Sequence, residues 1–209
     1  MQPASAPCVV KHLGRAEYLP TAAAMRAFTA RRDAGTEDEL WIVEHPPVYT
    51  LGVGADAAHG PKGGTRIPVL RCERGGDITY HGPGQVVLYA LLDLARRGIR
   101  VREFVSLLEQ SVIDLLAEHG VAGGRRSGAP GVYVAGAKVA ALGLRVSRGR
   151  CYHGVSLNVD MDLAPFAAID PCGLPGLRVT QTRALGIDAS PEILGPRLAA
   201  IVTRKLGDA

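Results

Sequence analysis

Arg74-Gly75-Gly76-Asp77-Ile78-Thr79-Tyr80-His81-Gly82-Pro83-Gly84-Gln85 runs directly into Val86-Val87-Leu88-Tyr89-Ala90-Leu91-Leu92. Glycine lets the main chain turn sharply and approach a ligand closely. The apolar run that follows reads as a buried strand. An isolated Gly-Gly is more often an ordinary tight connection. A segment this long, carrying an Arg, a Tyr and a His and feeding a core strand, reads instead as a binding loop held against main chain.

Outward from this point the pattern is mixed. Val9 to Leu13 reads as a short strand, and a helix follows from about Thr21 to Arg32, with Pro20 tolerable in its first turn. Leu40 to Glu44 reads as a strand stopped by His45-Pro46-Pro47, and Val48 to Leu51 as a short extended piece. Residues 52–66 hold five glycines and read as a mobile loop. Val101, Phe104, Val105, Leu108, Val112, Leu115 and Leu116 share one helical face that ends near Gly120. Gly131 to Val134, Lys138 to Val146 and Tyr152 to Val159 read as strands. Ser190-Pro191-Glu192 opens a C-terminal helix, with a side-chain cap and then Pro at the first helical position. Strands in the middle, with helices before, between and after, predict an α+β (mixed α/β) fold. There is no repeat and no evident boundary, so residues 1–209 are expected to form one domain.

Composition narrows the function classes. The chain has 209 residues, 47% hydrophobic and 21% charged, which is ordinary globular usage. It has no apolar run of membrane-spanning length and no signal-peptide pattern at Met1 to Pro7. Cys8, Cys72, Cys151 and Cys172 are scattered, which argues against a disulfide framework and for a reducing, cytoplasmic setting. The net charge of +4 suits an acidic macromolecular partner. The pairs Arg31-Arg32, Arg96-Arg97 and Arg125-Arg126 are dispersed and read as solvated surface. No aromatic residues interleave with basic runs, so nucleic acid is not an expected partner. His45, His81 and His153 form no cluster with metal-ligand spacing, so no metal is expected. His81 reads as orienting the loop or a substrate, the other two as structural or hydrogen-bonding residues.

Two residues carry candidate chemistry. Cys172 sits in Asp170-Pro171-Cys172-Gly173-Leu174-Pro175-Gly176, a turn poorly suited to burying a hydrophobe and well suited to presenting a thiol. The other cysteines read as small inert hydrophobes. Lys138 interrupts the otherwise apolar or glycine run Val134 to Leu144. Such a lysine must snorkel out, pair with an anion, or lose its proton. With reference pKa values of about 8.5 for Cys and about 10.4 for Lys, a close pair tends towards thiolate and ammonium.

These residues, taken in order, resemble a known family. The loop at 74–85, Glu44 to Gly52, Gly128 to Val134 before the lysine strand, Tyr152 to Val159, and Asp170-Pro171-Cys172-Gly173 together resemble the octanoyltransferases of lipoate biosynthesis. The likeness to lipoate and biotin protein ligases is looser. The resemblance implies a catalytic domain like that of those ligases, a central mixed β-sheet with flanking helices. It implies Cys172 as acyl-thioester nucleophile and Lys138 as the residue that lowers its pKa. It implies a substrate site lined by Arg74, Gly75, Gly76, Asp77, Ile78, Thr79, Tyr80 and His81, by Ala141, Leu142 and Gly143, and by Gly154, Val155 and Ser156. Asp77 falls where the family is expected to vary, so its carboxylate receives no role. The implied donor is octanoyl-acyl carrier protein. The implied acceptors are lipoyl domains of 2-oxoacid dehydrogenase complexes and the glycine cleavage H protein. The enzyme is expected to be a monomer without cofactor or ATP. Backbone N–H groups near Gly143 or Cys172 are candidate oxyanion donors, and Leu142 and Leu144 are candidates to line an acyl tunnel. Three alternatives stay open at this point: an ATP-dependent ligase, a cysteine hydrolase, and a non-catalytic binding protein.

Overall fold

The computed structural model describes residues 8–171, 174 and 176–207. In chain order the first half comprises β1 (Cys8–Arg15), α1 (Tyr18–Arg31), β2 (Asp38–Glu44), β3 (Val48–Leu51), β4 (Val69–Arg71), β5 (Ile78–His81) and β6 (Gln85–Asp93). The second half comprises α2 (Leu94–Arg97), α3 (Val101–Glu118), β7 (Gly131–Val134), β8 (Ala137–Ser147), β9 (Arg150–Asn158) and α4 (Pro191–Gly207). A six-stranded sheet has the order β1-β2-β6-β9-β8-β7, and a three-stranded sheet the order β4-β3-β5. Both are mixed: β1 pairs parallel with β2 and β3 with β4, and the other pairs are antiparallel.

The apolar run after the glycine loop becomes β6 at the middle of the large sheet, and strand alternation explains its lack of polar positions. Val86, Leu88, Ala90 and Leu92 face the core shared with α3 and α4. Val87, Tyr89 and Leu91 face the other way, towards Met25 and Phe28 of α1. A fully buried Leu is worth about 1.5–3 kcal/mol against exposure, so burial on both faces makes β6 the most strongly held strand of the sheet. The small sheet packs Tyr49, Leu51, Ile78 and Tyr80 against Met161, Phe166 and Ile169.

Three expectations change. The segment 74–85 is only partly loop, because Ile78 to His81 pair antiparallel with β3. Its sharp turn lies at Gly82-Pro83-Gly84. There Gly84 takes φ +84°, and a Cβ would lie 1.9 Å from the Asp160 carbonyl oxygen. The 52–66 loop is fastened rather than loose. It contains a 3-10 turn at Ala57–His59, the His59 ring pairs with Asp77 at 2.6 Å, and Lys62 pairs with Asp170 at 2.6 Å. The arginine pairs are not all solvated. Arg32, Arg96 and Arg97 converge on the fully buried carboxylate of Asp38 and supply the pairing that a buried charge needs.

Candidate active site

Register builds the site. Across β6, β9 and β8, Tyr89 is level with Gly154 and Gly143, and Val87 is level with Ser156 and Ala141. Gln85 and Asn158 form the next rung, and Lys138 lies at that end of β8. Against these rungs the small sheet lays Ile78, Thr79 and His81, and the turn before it lays Arg74, Gly76 and Asp77. Between the two is a cavity of about 770 Å³ including its open mouth. Its middle is apolar, with Val87, Leu142, Val155 and Phe166. Lys138, Pro171 and Val179 line one part, and Tyr18, Tyr89, His81 and His153 another.

The glycine loop is stitched to β8 by main chain. The Gly75 N–H donates to the Leu144 carbonyl at 2.8 Å. A Cβ on Gly143 would lie 2.8 Å from the Gly75 oxygen, so only glycine permits the approach. Arg74 is buried, and its guanidinium donates to the Thr50 hydroxyl at 3.1 and 3.0 Å, to the Thr50 carbonyl, and to the Gly75 carbonyl at 3.0 Å. It thus fixes the loop's shape as well as lining the cavity. Of the residues read from sequence, Lys138, Arg74, Gly76, Asp77, Ile78, Thr79, His81, Ala141, Leu142, Gly143, Gly154, Val155 and Ser156 line the cavity. Gly75 and Tyr80 are not among its lining residues. Gly75 acts through its backbone, and Tyr80 turns into the small core, against the rings of Tyr49 and Phe166, both at 5.5 Å. The Asp77 carboxylate, given no role from sequence, accepts from the Ile78 N–H at 2.7 Å and holds His59.

Lys138 is 4% exposed, so it does not snorkel to water. Its Nζ donates to the Pro130 carbonyl at 3.1 Å and lies 5.3 Å from the Tyr133 ring centroid. Its own backbone pairs with the segment beyond residues 170–176: Lys138 N–H donates to Arg178 O at 2.8 Å, and Thr180 N–H to Lys138 O at 2.9 Å. Before that turn, the Asp170 N–H donates to the His59 carbonyl at 3.2 Å. Cys172 itself lies outside the described residues. Burial pushes the thiol pKa of Cys8 up to about 11 and that of Cys151 up to about 12, which suits the inert reading of both.

The closed end is a cluster of neutral rings. Burial above all depresses His81 to about 3 and His153 to about 4, and lowers His45 too. Burial likewise raises the Tyr18 and Tyr89 phenols. His81 Nδ1–H donates to Gln85 Oε1 at 2.7 Å, and the Gln85 amide is oriented by donating to Asn158 Oδ1 at 2.9 Å. His45 Nδ1–H donates to the Ala16 carbonyl at 2.6 Å, and its Nε2 accepts from the Tyr89 hydroxyl at 2.7 Å. Sequence reading passed over Tyr18, Tyr89 and Phe166. Tyr89 carried a signal, as the one hydroxyl-bearing side chain in the β6 run. Tyr18 carried none, because a tyrosine at a helix start has no periodicity that marks it.

A two-layer mixed sheet that holds an apolar cavity between a glycine loop and a buried lysine defines a catalytic domain of the lipoate and biotin protein ligase type. A chain from a structural analysis of an archaeal lipoylation system, a bi-partite lipoate protein ligase and its E2 lipoyl domain from Thermoplasma acidophilum, superposes with a TM-score of 0.71 at 15% identity, over 97% of this chain and 93% of that one. Biotin protein ligase from Aquifex aeolicus, in complex with biotin and ATP, gives a TM-score of 0.59 at 13% identity, over 95% and 70%. These likenesses show the fold. The family described as lipoyl protein ligase A/B catalytic domain matches residues 17–198. An octanoyltransferase of Dechloromonas aromatica is 58% identical over 200 residues, 96% of this chain and 97% of the relative. The chain belongs to the octanoyltransferase family within the lipoyl protein ligase A/B group, and it is an acyltransferase.

Proposed function

We propose that the protein transfers an octanoyl group from octanoyl-acyl carrier protein to a lysine of lipoyl domains through a thioester on Cys172, without ATP. The observation that carries the reading is the buried Lys138 amine on a largely apolar cavity. Pro171, the residue before Cys172, lines the same cavity. The Cys172 thiolate attacks the donor carbonyl carbon, a C–S bond to the enzyme forms, and the carrier thiol leaves with a proton supplied by Lys138. The acceptor amine then attacks the enzyme thioester, a C–N bond forms, the Cys172 sulfur leaves as thiolate, and Lys138 takes the amine proton. Thioester-to-amide transfer is downhill, which removes the need for an adenylate.

Gly143 stands on the rung farthest from Lys138, so it serves the closed end sterically. The oxyanion donors then fall to the nucleophile turn. The acceptors are lipoyl domains of 2-oxoacid dehydrogenase complexes and the glycine cleavage H protein, met by a monomer of one domain in the cytoplasm. Among the described residues no helix is long and apolar enough to cross a membrane. The test is transfer from octanoyl-acyl carrier protein to a purified lipoyl domain without nucleotide, read as the mass of the acceptor. An octanoyl-lysine product is expected. Modification only from free octanoate plus ATP would favour the ligase reading.

A further inference from the structure

We infer that Tyr18 and His153 form the wall that limits acyl-chain length, separating the substrate cavity from a second cavity into which a longer chain would grow. The inference rests on the acyl-transfer reading above. Two cavities share these residues. Behind them lies a space of about 680 Å³, including its open mouth, lined by Ala22 and Arg26 of α1 and by Cys72, Glu73 and Tyr152. Tyr18 and His153 are the two residues that line both spaces.

The wall is held from several sides. The Tyr18 ring lies nearly parallel to His81 at 6.1 Å and edge-on to His45 at 5.4 Å. The His153 ring stacks on Tyr152 at 5.0 Å and meets Tyr89 edge-on at 5.8 Å. His45 in turn is bonded to the Ala16 carbonyl, two residues before Tyr18. Tyr18 and His153 are 2% and 3% exposed. His153 Nδ1 is buried with no hydrogen-bond partner among the described residues, so a methylene forced against it would add to an existing cost.

The wall stands at the far end of the cavity from Lys138: from Asn158, level with Gln85 of β6, to Gly154 is four residues of β9, about 13 Å at ~3.3 Å per residue, and His153 is the next residue beyond.

The experiment loads wild type and Tyr18→Ala with eight-, ten- and twelve-carbon acyl-carrier proteins and follows initial rates by intact mass. Wild type should favour eight carbons. Tyr18→Ala should raise the ten-to-eight rate ratio at least about tenfold, the effect of bringing two more methylenes out of water. A folded Tyr18→Ala with an unchanged ratio overturns the inference. If that variant does not fold, Tyr18→Leu is read instead, and its ratio must also rise; a constant ratio overturns the inference equally. Wild type that accepts no acyl group from any carrier overturns the transfer reading itself, whatever the variants do.

Discussion

Lowering the pH from 7.5 to 5 should cost this fold about 4 kcal/mol through two histidines. His81 and His153 are held neutral, at about 3 and about 4, against an unfolded value of about 6.5. Because the folded values are depressed, the unfolded state binds more protons throughout this window, and stability falls as pH falls. Protonating one unfolded histidine at pH 5 favours unfolding by RT ln(1 + 10^1.5), about 2 kcal/mol, and two give about 4. Against a typical total of about 5–15 kcal/mol this is large. Ordinary carboxylates titrate near 4, below the window, so their ion pairs contribute little within it. The assay is urea unfolding at half-unit steps of pH. Near pH 5 these two residues should bring the slope to about 2.7 kcal/mol per pH unit, the uptake of two protons, and His45, also lowered by burial, adds in the same direction. His81→Asn should remove about half of that slope. A stability that stays flat from pH 7.5 to 5, or a His81→Asn slope equal to wild type, would refute the claim that the closed end of the cavity is a neutral-ring cluster.

Lys138→Met should slow acyl loading by about 10²–10⁴-fold, the usual worth of a positioned proton-transfer group. The residual rate should climb towards a thiol-like midpoint near 8.5, whereas wild type should not show that rise; stopped-flow loading across pH checks both. Gly143→Ala should leave a cooperative melt but push the 74–76 turn off β8, because its Cβ meets the Gly75 oxygen at 2.8 Å; an undiminished loading rate would contradict the stitching argument. Asp38→Ala should destabilise the fold by about 3–5 kcal/mol, as expected when buried cations lose their partner, since the side chains of Arg32 and Arg97 are only 1% and 5% exposed. Chemical unfolding at pH 7.5 reads this, and a change under about 1 kcal/mol would mean that the arginines find water.

Periodicity made most of the large sheet and its helices legible. β6 announced itself as an unbroken apolar run, α3 by its stripe and α4 by its Ser190-Pro191-Glu192 start, and the two helices bury their apolar faces in one core. Of the small sheet only β3 was legible, as the extended piece Val48 to Leu51. β4 has three residues, and β5, though its Ile-Thr-Tyr favours a strand, is four residues inside a glycine-bounded segment, too short for a period to mark it. Arg32 and Arg97 were misread because two adjacent arginines look like solvent-facing charge. Only the fold shows that Asp38 lies between them, 6 and 59 positions away. At the site, Lys138 stood out because an amine in an apolar strand must be accounted for. Tyr18 did not, because its place at the cavity wall depends on where α1 crosses the sheet.

The central claim is a covalent acyl-enzyme on Cys172. The purified protein, mixed with octanoyl-acyl carrier protein in the absence of ATP and acceptor, should gain one octanoyl group in its intact mass. The adduct should be absent from Cys172→Ser and released by hydroxylamine. An unmodified enzyme beside a carrier that remains fully loaded would contradict the thioester mechanism.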